Sequence, residues 1–394
     1  MRLKHYLYLF LLLLLVTGCG DDEDSLVLTD NEILRRADLV FSVSAEEVTQ
    51  AAASFPVYFP GNRPLNGIDF YRVEYLTESP AGNTVTASGM IALPQEQTTT
   101  GMAVVHQATV LNAADVPSLQ TNRTGFDPFP LALGGTGLAV LLPDNIGYGT
   151  SANILHPYQH AATYGRCGYD MIRAGLELFA NQEISHDGQL YVTGYSAGGD
   201  ATLAVHRWVE ENSDLAVTLS VPGGGAYDKL AVAKTFADYD GELSLAPLFV
   251  WIIQTYDDLY GLDRPWSAYL TADNAAKISG SPEGQQWLQL GLDQNPQELF
   301  APAFREAILN DSDAAFRAAL LDNDLTSWQP EGVVVLLHGA EDLAVPVVGA
   351  RNALRFLQAD DNTVELREFA GEDHNRAYFS YITEALVRIE AARP

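Results

Sequence analysis

The chain has 394 residues, of which 47% are hydrophobic and 19% charged, and a formal net charge of −29. That is enough apolar material for a folded core of roughly 250–300 residues plus an insertion, and it excludes extensive disorder outside the N-terminal region. The acidic surface repels nucleic acid and anionic lipid and favours neutral or cationic substrates.

At the N-terminus, Arg2 and Lys4 precede an apolar run from Tyr6 to Val16 that is too short to anchor stably across a bilayer. Residues 1–18 therefore read as an export signal. Val16-Thr17-Gly18-Cys19 resembles the lipobox of bacterial lipoproteins, and the resemblance implies cleavage before Cys19 and lipidation of that cysteine. The other reading is a plain secretory signal with an incidental cysteine. Lipidation implies a place outside the cytoplasm, attached to a bacterial membrane, with the outer membrane or cell surface expected. Residues 19–44 are expected to form a tether and N-terminal segment, beginning with the acidic run Asp21-Asp22-Glu23-Asp24. If Cys19 carries lipid, Cys167 is left without a disulfide partner and reads as a small buried hydrophobe.

A short helix is expected over Ala45–Ala53. Tyr71–Leu76 and Val85–Leu93 alternate around Pro80-Ala81-Gly82-Asn83, the pattern of a hairpin. Thereafter short apolar runs alternate with amphipathic stretches. The runs are Met102–His106, Leu138–Leu142, Gln189–Thr193, Leu215–Val221 and Val333–Leu337, as expected for strands covered on both faces. Val364–Phe369 alternates instead, as a strand nearer the sheet edge would. Helical stripes run through Tyr169, Ile172, Leu176 and Phe179, then Ala201, Ala204, Val205 and Trp208, and finally Tyr378 to Ile389. The expected fold is α/β: a mostly parallel, doubly wound sheet after an antiparallel start. Residues 227–329 break the alternation and hold Trp251, Trp266, Trp287 and Trp328. They are expected to form a helical insertion that caps the strand ends, with a separate helical domain as the alternative. The core would then comprise residues 45–226 and 330–394.

The strongest chemical signal is Gly194-Tyr195-Ser196-Ala197-Gly198-Gly199, between an apolar strand and a helix. A serine on such a turn is held in a strained conformation, and the glycines on either side let neighbouring chain pass closely. A hydroxyl needs a base, and the base needs a carboxylate to orient it. Asp342 lies just beyond the strand at Val333–Leu337, with Glu341 its nearby rival, and His374 lies just beyond Val364–Phe369. Three residues in the order Ser–Asp–His, each past a strand end, form a candidate catalytic triad.

These features resemble the α/β-hydrolase superfamily, and within it bacterial secreted and lipoprotein esterases related to secretory lipases. The narrower match rests on Tyr75 to Gly82 with Ala87 to Pro94, on Pro143 to Ser151 followed by His156-Pro157-Tyr158, and on Gly194 to Leu203 and His338 to Pro346. The resemblance implies an oxyanion hole of backbone amides, from Ala197 and from either Ala108 or Thr109. The family's usual His-Gly-Thr is here represented by His106-Gln107-Ala108-Thr109, an alanine in place of the glycine. It also implies ester hydrolysis through an acyl-enzyme, with no cofactor and no metal, on a small-molecule or lipid ester. A peptidase or acyltransferase on the same triad, and a non-catalytic binding lipoprotein, are the alternatives.

Overall fold

The computed structural model describes residues 31–53, 65–95, 98–122, 128–243, 245–279, 289–358 and 363–394. The expected export signal, Cys19, the acidic run and Trp287 lie outside the described residues. The chain begins with strand β1 (Leu34–Val43) and helix α1 (Ala45–Ala53), then the hairpin β2 (Ile68–Glu78) and β3 (Thr84–Pro94). Next come β4 (Thr99–His106), α2 (Pro128–Gly135), β5 (Ala139–Pro143), α3 (Ala161–Asn181), β6 (Ser185–Tyr195), α4 (Ala197–Asn212) and β7 (Leu219–Gly223). Six helices follow: α5 (Lys229–Asp238), α6 (Ala246–Tyr260), α7 (Ala272–Ile278), α8 (Pro296–Leu299), α9 (Pro302–Leu309) and α10 (Ala314–Asp322). The chain closes with β8 (Val333–Gly339), α11 (Val348–Leu357), β9 (Val364–Phe369) and α12 (His374–Ala391).

The strands form one sheet in the order β1-β2-β3-β5-β4-β6-β7-β8-β9. Pairing is antiparallel from β1 through β5 and parallel from β5 to β9. The apolar runs explain the layers, because successive side chains leave a strand on opposite faces. Val105, Val140, Leu142, Val221, Val335 and Leu337 pack on one face with residues of α2 and α12. On the other face Val104, Leu141 and Val192 pack with α3, while Val334 and Leu336 meet Ala201 and Leu203 of α4 and Ala350 and Ala353 of α11. The alternating strand, β9, is an edge strand of the sheet, as its period required.

Within the N-terminal segment, residues 34–43 form edge strand β1, a strand the sequence reading did not anticipate. Register shifts between Leu34 and Arg36 and between Leu39 and Phe41 break the alternation, so the period of two is invisible in the sequence. The strand is pinned by Glu177 of α3, whose carboxylate accepts backbone N–H groups of Glu32, Ile33 and Leu34 at 2.7–3.1 Å.

The six helices α5 to α10 bury a cluster, shared with Tyr148, Tyr158 and Ala197, in which Trp251, Ile253, Tyr256, Phe304 and Phe316 are nearly inaccessible. Tyr227, Leu325 and Trp328, also inside the range 227–329, pack instead with the α4–β8–α11 side of the sheet.

Candidate active site

Ser196 sits between the last residue of β6 and the first of α4, with φ 58° and ψ −120°. A non-glycine residue there is strained. The turn is locked by Ser196 N–H donating to Gly223 O at 2.8 Å. The flanking glycines are required by close approach. A Cβ on Gly194 would lie 2.5 Å from Gly198 O, and one on Gly198 would lie 2.4 Å from His106 O and 2.7 Å from Gln107 O. Thus the end of β4 runs directly against the turn that carries Ser196.

The other two residues arrive from neighbouring strand ends. His374 is the first residue of α12, whose N-terminus is capped by Asp373 accepting the Arg376 N–H at 2.9 Å. Its Nε2 lies 2.9 Å from Ser196 Oγ and its Nδ1 lies 2.6 Å from Asp342 Oδ2. Because an ionised carboxylate can only accept, Nδ1–H faces Asp342 and leaves the Nε2 lone pair toward the serine hydroxyl. Asp342 is buried, and its second oxygen accepts Val345 N–H at 2.8 Å. Tyr195 steadies the histidine from below, donating its hydroxyl to His374 O at 2.6 Å with ring centroids 5.1 Å apart. Glu341, the rival carboxylate, is exposed, and it is Asp342 that meets the imidazole. The arrangement can carry a proton from Ser196 Oγ to His374 while Asp342 balances the resulting imidazolium.

A second imidazole, which the sequence reading passed over, lies at the same carboxylate. His338 Nε2 is 2.8 Å from Val345 O and 3.5 Å from Asp342 Oδ2. Burial pushes its pKa below the ordinary imidazole value. The neutral ring thus fastens the Asp342–Val345 loop around the carboxylate. Its only early signal was its place in the strand end before Gly339.

Ala108 and Thr109 follow the end of β4, which runs against the turn that carries Ser196 and Ala197. Ala197 opens α4, and among the described residues its amide donates to no backbone acceptor. Thr109 Oγ1 is held 2.7 Å from Tyr158 Oη. Ala108 and Thr109 line a cavity of about 430 Å³ with Gln107, Tyr195, Tyr378 and Phe129. Ser196 opens instead on a smaller pocket of about 40 Å³, walled by Val232, Leu248, Phe249 and Ile252 from α5 and α6. The larger space therefore borders the loop after β4, and the smaller one holds the serine. Tyr158, whose hydroxyl meets Thr109, stands between them as a wall of the small pocket.

With this geometry in place, known structures supply the comparison. A candidate hydrolase from Legionella pneumophila superposes with a TM-score of 0.79 at 23% identity, covering 92% of this chain and 98% of its own. The fold is that of the α/β-hydrolases. A ligand-bound form of the rice cell wall degrading esterase LipA from Xanthomonas oryzae gives a TM-score of 0.76 at 22% identity, over 91% of this chain and 97% of its own. Candida antarctica lipase A in its closed state gives 0.65 at 16% identity, over 90% and 81%. No family model matches the chain, and no curated protein sequence matches it. Within the α/β-hydrolase fold, strand ends β6, β8 and β9 are the positions that present Ser196, Asp342 and His374.

Proposed function

We propose that the protein is a serine-dependent carboxylic ester hydrolase. Ser196 attacks the ester carbonyl as His374 takes its proton. Asp342 orients the ring, and the Ala197 amide with that of Ala108 or Thr109 receives the charge developing on the carbonyl oxygen. His374 then gives its proton to the departing alcohol. Water, activated by the same ring, releases the acyl group. The observation that carries this reading is the continuous relay Ser196 Oγ–His374 Nε2 at 2.9 Å and His374 Nδ1–Asp342 Oδ2 at 2.6 Å, built on a strained turn. The esterase and lipase named among the structural neighbours support the same chemistry. The test is labelling by a fluorophosphonate probe with loss of ester turnover in Ser196→Ala. A Ser196→Ala protein that labels as strongly as wild type would sink the proposal.

In this reading α5 to α10 cap the site. Cys19, after cleavage of residues 1–18, carries lipid that holds the enzyme on a bacterial membrane outside the cytoplasm. Its expected signature is membrane-fraction activity that becomes soluble in Cys19→Ser.

A further inference from the structure

The small pocket that holds Ser196 is apolar on most sides, yet it has a cation in its wall. Lys229, the first residue of α5, is only 4% exposed and lines the pocket together with Gln159 and Ser196. Its Nζ donates to Asp200 Oδ1 at 2.9 Å and to Gln159 Oε1 at 2.6 Å. Asp200 belongs to the first turn of α4 and donates its own N–H to Ser196 O at 3.2 Å, so the ion pair is fixed to the turn that carries the serine. Gln159 is held with φ 59°, its N–H accepted by Tyr164 Oη at 3.0 Å and its carbonyl taking the Tyr256 hydroxyl at 3.2 Å.

This placement is costly if it serves packing alone. A buried ion pair loses hydration, and its attraction restores that loss only when the remaining hydrogen-bonding capacity is used. Here the capacity is not used. An ammonium has three N–H groups, and among the described residues two are engaged, by Gln159 and Asp200, while Asp200 Oδ2, in a residue only 2% exposed, has no hydrogen-bond partner among the described residues. The charge is already balanced by Asp200, so a second carboxylate is not what the pair lacks. A neutral oxygen in the pocket can accept the third N–H of Lys229.

We infer that Lys229 is a specificity-determining residue that recognises a neutral oxygen, a hydroxyl or carbonyl, on a short substituent of the ester held in the pocket beside Ser196. The inference rests on the ester-hydrolase reading above and narrows its substrate class. At about 40 Å³ this pocket is the smaller of the two spaces beside the strand ends and favours a short group. The walls Val232, Phe249 and Ile252 bury its carbons while Lys229 meets its oxygen. A purely alkyl group of the same length leaves that N–H of Lys229 without an acceptor and is the poorer substrate, because a site built to hydrogen-bond an oxygen discriminates against the analogue that lacks it.

The test compares the mature protein with a Lys229→Met/Asp200→Asn double variant, in which both charges leave together so that neither is buried alone. Two matched ester pairs distinguish where the oxygen resides. Nitrophenyl 3-hydroxybutyrate against nitrophenyl butyrate places it on the acyl side, and glycerol monobutyrate against propyl butyrate places it on the alcohol side. The wild type is expected to prefer the oxygenated member of one pair by about tenfold or more in kcat/KM, the scale of a hydrogen bond to a charged group. The double variant is expected to lose that preference. A wild type without preference in either pair overturns the inference whether or not the variant folds. So does a double variant that turns over both members at the wild-type ratio. Fluorophosphonate labelling of the wild type is read in parallel. Labelling with no oxygen preference refutes Lys229's role and leaves the ester hydrolase standing, whereas folded protein that neither labels nor turns over any ester refutes both.

Discussion

The two sides of Ser196 are held by different physics. On the sheet side, backbone touches backbone: Gly194 and Gly198 let the turn after β6 lie against the carbonyls of His106 and Gln107, and Gly199 would put a Cβ 2.4 Å from Gly223 O. On the helical side, rings touch rings. Tyr158 stacks on Trp251 at 4.4 Å, and Phe236 on Phe249 at 3.8 Å. A backbone contact at those distances has no give, whereas aromatic packing exchanges volume for volume at modest cost. The sheet side should therefore govern whether the reaction occurs, and the helical side which ester is used.

The sharpest way to break this contrast is Gly198→Ala. In an ordinary helix the change would stabilise by about 1 kcal/mol. Here the new methyl meets two backbone carbonyls, at 2.4 and 2.7 Å, so the loop that carries Ala108 and Thr109 must move. Since losing one oxyanion donor costs about 3–4 kcal/mol in the transition state, kcat/KM should fall by roughly 100-fold or more, mostly in kcat. Steady-state kinetics on a nitrophenyl ester checks it. A loss under threefold would show that the sheet side is softer than its contacts indicate.

Phe249→Ala probes the other side. Phe249 lines both the pocket beside Ser196 and a mostly apolar space of about 20 Å³ between α5, α6 and α9, so removing its ring should join the two. Longer acyl chains should gain on short ones, the octanoate-to-butyrate ratio rising by about tenfold, the worth of one or two well-buried methylenes. A panel of nitrophenyl esters reads the ratio. If it stays fixed while the protein remains folded, the chain does not enter between these helices.

The same contrast explains what could be read from the sequence. Ser196 and Asp342 each follow a short apolar run and His374 follows an alternating one, and such runs ending in Gly and polar residues mark strand ends without knowledge of the partner. The hairpin β2–β3 was legible for the same reason, since its alternation is local. Strand β1 was not, because its bulges erase the period. Nor was the Lys229–Asp200–Gln159 cluster, whose members lie 29 and 70 residues apart and belong to no periodic pattern. In the helical segment, aromatic content signalled burial but not which ring faces which. Trp251 entered the helical cluster and Trp328 the sheet-side one.

The smallest expected effect tests how much the sheet side tolerates when no backbone contact is altered. His106 ends β4 immediately before the loop of Gln107 to Thr109, and its ring is buried with neither nitrogen hydrogen-bonded among the described residues. Burial lowers its pKa to about 3. The folded protein therefore keeps the ring neutral where the unfolded chain protonates it near pH 6.5. Above that value the group is neutral in both states and does not affect stability. As pH falls below it the unfolded state gains a proton that the folded state refuses, so stability drops progressively toward about pH 3. At pH 5.5 the ring should cost roughly 1 kcal/mol relative to pH 7.5. His156, lowered to about 4 by the same burial, adds a parallel loss. His106→Leu fills the same space with a side chain that cannot protonate. Its unfolding free energy should fall by roughly 1 kcal/mol less than that of wild type between those two pH values, the remainder belonging to His156 and other groups. Denaturant titration at pH 7.5 and 5.5 measures both slopes. Equal pH dependence in the two proteins would mean that the buried ring takes up its proton without opening the fold.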